Sequence, residues 1–183
     1  MKKLLLIAAS AVIVNFAQAQ LYAGKETTIH FLSKSSLEDI EAKNKVAKPV
    51  LDISTGDIQI KIPNKQFKFK SSVMEEHFNE NYMETEKYPY TTFKGKINEK
   101  VDYTKDGENK VTCTATMEMH GVTQTITIPG TITVKGTQVT VVSNFMVKLV
   151  DYKIKVPSLY IKNIAEEIAV DINSVMEPYT SKK

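Results

Sequence analysis

Cysteine is nearly absent. One thiol, Cys113, stands in 183 residues, so no disulfide can form within the chain and the core must hold by burial. Histidine is scarce as well: His30, His77 and His120 are the three, and none has a second His or Cys at ligand spacing. A His-Glu-x-x-His helix and a Cys-x-x-Cys pair are both missing, which leaves no sequence signature of a zinc site. The seven glycines stand singly, so there is no Gly-rich phosphate loop. There is also no Gly-x-Ser-x-Gly turn to present an activated nucleophile. Beyond the first residues, no apolar run approaches the roughly 20 needed to cross a bilayer as a helix.

The opening residues read differently from the rest. Lys2-Lys3 precede an apolar run, Leu4 to Val14, broken only by Ser10, and Ala17-Gln18-Ala19 supplies small-x-small cleavage residues. That is the pattern of a secretory signal peptide. Residues 1–19 are therefore expected to be removed, leaving 20–183 as one domain with no integral membrane segment, periplasmic or secreted. With Lys2 and Lys3 gone, the formal charge falls from +3 to +1. A near-neutral chain with its lysines scattered among acids gives no reason to expect nucleic acid as a partner.

From Leu51 onward the dominant period is two. Ile58, Ile60 and Ile62 alternate with Asp57, Gln59 and Lys61, and Phe67 and Phe69 follow. Phe93, Gly95 and Ile97 share a face, and so do Val111, Cys113, Ala115, Met117 and Met119, opposite a row of threonines. His120-Gly121 reads as a two-residue hairpin turn into a return strand from Val122 to Ile128. Pro129-Gly130 marks a break or a bulge before Ile132 and Val134. Val139, Val141, Phe145, Val147 and Leu149 make another alternating run, and Ile168, Val170 and Ile172 a last one. Many strands with turn signals between them mean a barrel or a sandwich, and the long run to Met119 favours the barrel. Ser71 to Met83 is the exception: Met74, Phe78 and Tyr82 fall at helical spacing, in a segment short enough to need packing across a barrel end.

Charged and polar groups do not assemble into a catalytic pattern. Glu75-Glu76 and Glu166-Glu167 are adjacent in sequence, so each pair diverges on a helix or strand. Cys113 lies on an apolar face. His77, with Glu76 and Glu80 beside it, reads as a helix-end histidine ahead of a metal ligand, and His120 as a turn residue. Neither a metal nor a cofactor is expected. Met117 and Met119 face inward near a strand tip, where methionine suits either core filling or an adaptable apolar surface.

Four segments together resemble the YceI-like family of lipid- and polyisoprenoid-binding proteins. They are Glu75-Glu76-His77-Phe78-Asn79-Glu80-Asn81-Tyr82-Met83, then Lys87-Tyr88-Pro89 and Phe93-Lys94-Gly95, and Met117-Glu118-Met119-His120-Gly121-Val122-Thr123. Asp151-Tyr152-Lys153-Ile154 is similar to the family's acid-aromatic-Gly-Ile segment, with Lys153 in place of Gly. Phe31-Leu32-Ser33-Lys34-Ser35 replaces the usual Ser-His start, and Val73-Met74 stands where the family has Arg-Asp. The resemblance implies an all-β fold: an extended, eight-stranded antiparallel, lipocalin-like β-barrel with a short helix near one end. It also implies a non-enzymatic binding protein for a long-chain isoprenoid or another lipid-like small molecule.

The inward faces nominate Ile58, Ile60, Phe67, Phe69, Phe93, Ala115, Met117, Ile126, Phe145, Val147 and Val170 as the lining of a lipid-binding cavity. The competing expectations are a filled barrel serving protein interaction and, behind it, an enzyme on the same scaffold. N-terminal sequencing of exported protein is expected to begin at Gln20 or within a residue or two. Full-length chain as the main cytosolic species would contradict the signal-peptide reading.

Overall fold

The computed structural model describes residues 20–34, 39–156 and 165–179; the expected signal segment lies outside them. Alternating sequence becomes strand wherever one face can be buried. The strands are β1 (Leu21–Ser33), β2 (Ile40–Asn44), β3 (Val50–Asp52), β4 (Asp57–Pro63), β5 (Lys68–Phe69), β6 (Tyr90–Ile97), β7 (Gly107–Met119), β8 (Val122–Lys135), β9 (Gln138–Lys148) and β10 (Glu167–Pro178). Eight of them close a ring in the order β1-β3-β4-β6-β7-β8-β9-β10, with β10 returning antiparallel to β1. Closure gives every strand of that ring a paired neighbour on both sides.

β1 serves two neighbours along one edge. Leu21–Ala23 pair with β3, whereas Ile29–Ser33 pair with β2, which in turn pairs with β5. One end of the barrel is thus closed through β3 and β4, and the other carries the β2–β5 flap. His30 binds that flap from outside: its Nδ1 lies 3.1 Å from Asp171 on β10 and its Nε2 3.1 Å from Glu41 on β2. Lys70 reaches Glu41 at 2.6 Å, and Lys70, then His30, hold the Glu41 carboxyl below its ordinary value.

The β7–β8 hairpin turns as expected. His120 and Gly121 both take positive φ, 52° and 72°, the mirror-image turn whose twist matches its strands. A Cβ on Gly121 would stand 2.6 Å from the Tyr88 ring, so only glycine fits. Pro129-Gly130, by contrast, neither breaks nor bulges β8: Thr112↔Pro129 and Val111↔Gly130 keep an unbroken register with β7. Its effect falls on the other edge. β8 pairs with β9 only over Thr131–Lys135; proline has no N–H to offer further on, and Ser143 Oγ donates instead to the Pro129 carbonyl. Beyond that point the 3-10 turn Leu149–Tyr152 lies beside β8, with Gln124 donating to the Asp151 carbonyl at 2.9 Å.

The segment from Ser71 is helical as its spacing predicts, in two pieces: α1 (Ser72–His77) and a π turn over Phe78–Tyr82. Residues 157–164 lie outside the described residues. Lys153, which closes the 3-10 turn, sits in the left-handed region at φ 55°. A side chain there costs about 1 kcal/mol that glycine avoids. Lys153→Gly is expected to raise stability by about 0.5–1 kcal/mol in denaturant melts; a loss of stability would contradict this.

Candidate functional site

The barrel is packed at one end and hollow at the other. In the packed end Leu51, Ile132 and Met176 have no exposed surface, with Val134 and Val139 nearly as buried. Val101 and Tyr103, from the β6–β7 connection, lie against this core, and burial pushes the Tyr103 phenol up to about 12. Toward the other end the inward side chains surround a cavity of about 550 Å³, within the usual range for small-molecule sites.

Eight of the residues nominated by strand face line it. Ile60, Phe67, Phe69 and Phe93 contribute from the β4–β6 side, and Met117, Phe145, Val147 and Val170 from β7, β9 and β10. Ile58, Ala115 and Ile126 do not. Ile58 pairs with Gly95, Gly95 with Ala115, and Ala115 with Ile126, so all three lie on one rung across the sheet. That rung is below the cavity: Ile58 and Ala115 are in the packed core, and Ile126 packs against it. Alternation identified the correct face and could not give height along the barrel.

Pattern reading missed part of the wall. Ile29, Phe31 and Ser33 line the cavity from β1, and Met74, Phe78 and Tyr82 from the helical segment. Phe78 brings the lid down: its ring stacks on Phe31 at 5.6 Å between centroids and lies 5.0 Å from Phe69 and 5.7 Å from Phe67. Phe31 also touches Phe67 and Phe69, at 5.4 and 5.6 Å. Such aromatic contacts add roughly 0.5–1.5 kcal/mol each beyond burial and hold a helix too short to stand alone. The signal was available in the i, i+4, i+8 spacing of Met74, Phe78 and Tyr82, the face that meets the barrel.

The buried polar groups of the wall are already committed to the protein. Asn64 is fully buried; it donates to the Tyr88 carbonyl at 2.8 Å and accepts from Thr91 at 2.9 Å. Ser33 Oγ accepts from the Ala165 amide at 2.9 Å. The side chains of Ser71 and His77 have no hydrogen-bond partner among the described residues, and the exposed His77 and Val73 stand at the rim. His120 is elsewhere, bonding the Tyr152 carbonyl at 3.1 Å and Glu84 at 3.2 Å with Tyr88 against its ring. Among the described residues, no three of His, Cys, Asp and Glu converge as metal ligands would.

A closed antiparallel barrel with an apolar, lidded cavity at one end defines the class. A YceI-like domain model matches residues 14–176, and the chain belongs to that family. The fold is similar to a polyisoprenoid binding domain from Saccharophagus degradans, implicated in plant cell wall breakdown. That likeness has a TM-score of 0.74 at 18% identity and covers 86% of this chain and 98% of that one. BcnA of Burkholderia cenocepacia gives 0.69 at 18%, over 81% and 95% of the two chains. A Campylobacter jejuni YceI protein gives 0.57 at 15%, over 99% and 100%. Among curated proteins, none matches the chain.

Cys113, on the rung beneath Ala115, is outside the cavity wall, and burial pushes its thiol up to about 11. Reactivity follows the thiolate fraction, so iodoacetamide at pH 8 is expected to alkylate native protein about a hundredfold more slowly than unfolded chain. Equal rates would contradict the packing described for that end.

Proposed function

We propose that the protein is an exported, non-enzymatic carrier that holds the apolar chain of an amphiphile in this cavity, for transport, storage or sequestration. The observation that carries the reading is a cavity of about 550 Å³ whose buried polar groups, Ser33, Asn64 and Thr91, all have partners within the protein. Such a wall offers a ligand burial and little else. Each methylene moved out of water contributes about 0.8 kcal/mol before the costs of association, so a chain of moderate length binds without polar recognition. The polar end then belongs at the rim beside Ser71 and His77. The likeness to the Saccharophagus polyisoprenoid binding domain supports an apolar ligand, and the Lys2-Lys3 leader supports export.

Native mass spectrometry of freshly purified protein, followed by lipid extraction, tests this reading with Met117→Trp measured alongside. Met117 borders the hollow, so the larger ring is expected to displace co-purified lipid while lowering stability by less than the roughly 1–3 kcal/mol of an overpacked core. No lipid in either protein, together with a large stability loss in the variant, would mean a filled interior and end the carrier reading.

A further inference from the structure

The cavity has a floor, and the floor limits what fits. Its lowest wall residues on the sheet are Ile60, Phe93 and Met117, which pair in sequence across β4, β6 and β7. The next rung down holds Ile58, Gly95 and Ala115, where no room remains. A Cβ on Gly95 would stand 2.5 Å from Cys113 Sγ, 2.8 Å from Ala115 Cβ and 3.1 Å from Phe93 Cε1. The Cys113 thiol, the Ala115 methyl and the edge of the Phe93 ring together fill the space that a side chain would occupy, and of the three only Phe93 also lines the cavity. On the opposite wall Ile29 pairs with Ile172, both cavity liners, and the rung below is Thr27 with Ser174. Their hydroxyls meet in a buried hydrogen bond of 2.8 Å. A polar pair there is bonded to itself and adds no apolar depth.

Depth follows from the strands. Liners run from Ile29 to Ser33 on β1 and from Ile168 to Ile172 on β10. Four residue steps at roughly 3.3 Å give about 13 Å along a strand, and about 10 Å along the axis of a tilted barrel. An extended hydrocarbon zigzag of about 1.5 Å bonds advances about 1.25 Å per carbon, so about ten carbons cover the roughly 13 Å run along a strand when the chain follows the strand tilt. The volume sets the other bound. At roughly 30 Å³ for a water-sized group, 550 Å³ holds about eighteen carbons if the chain bends.

We propose that the cavity is a length gauge for one chain of about ten to eighteen carbons, with Phe93 as its stop. The ligand class is a single-chain amphiphile: a fatty acyl tail or a prenyl chain of a few units, not a two-chain lipid. A longer isoprenoid would leave its surplus units outside the barrel. This rests on the carrier reading and adds a limit that the reading lacks.

Displacement of bound 1-aminoanthracene by straight-chain fatty acids of about eight to twenty-two carbons tests the gauge. Affinity is expected to rise by about fourfold per carbon up to a break between about ten and eighteen carbons, and to stay flat beyond. Phe93→Ala is expected to move the break to chains longer by two or more carbons. Phe93→Leu, which keeps the core apolar, provides the same shift on a smaller scale should the alanine variant unfold. A steady rise through the longest acid in the wild type, or a break unmoved in both folded variants, would overturn the gauge and leave the carrier reading standing. No displacement by any chain length would overturn the carrier reading itself, and the gauge with it.

Discussion

β10 lies antiparallel along nearly the whole of β1, from Tyr22↔Pro178 to Leu32↔Ala169, and the rest of the molecule depends on that pairing. It joins residues about 150 positions apart and turns an open sheet into a ring. Once closed, the interior has a fixed width, and side chains alone decide whether it is filled. At the β3–β4 end they fill it with branched residues and Met176. At the other end β1 turns its edge to β2, the β8–β9 ladder stops short of Pro129, and the ring is wide enough for the inward side chains to leave space between them.

A hollow apolar interior is costly to expose, and three devices keep water from its walls. The helical segment sets Phe78 among Phe31, Phe67 and Phe69. The turn Leu149–Tyr152 lies along β8, with Leu149 and Ile154 reaching the cavity. The β2–β5 flap is tied down through His30, Glu41 and Lys70. Asn64 links lid and barrel: its side chain holds Tyr88 and Thr91, and its backbone donates to the Pro89 carbonyl. The short motif around Tyr88-Pro89 thus anchors the end of the lid to the start of β6.

The strands from β4 onward were legible because each buries one face, and period-two alternation is the direct consequence. β1 was not, since His30 and Leu32 on its outer face are themselves half-covered by β2 and β10, which blurs the contrast with Ile29 and Phe31. The three nominated liners that fall outside the cavity share a cause. Ile58, Ala115 and Ile126 sit on the correct face, one rung too deep, and the height at which the cavity ends is set by how side chains from several strands pack around Gly95, which no periodicity records. Small as they are, Cys113 and Ala115 leave no space on that rung, because with the edge of the Phe93 ring they close around Gly95. Lys153 shows the converse, a position whose family glycine is explained only when its positive φ is seen.

Central to this account is a barrel hollow at one end and solid at the other. Methyl NMR of protein titrated with a saturated fatty acid carrying a nitroxide at its tail tests it most directly. The methyl signals of Ile60, Met117 and Ile172 are expected to broaden, while those of Ile132, Val139 and Met176 stay sharp. Broadening of the second group would mean an open tunnel in place of a floor, and broadening of neither would mean that no chain enters the barrel.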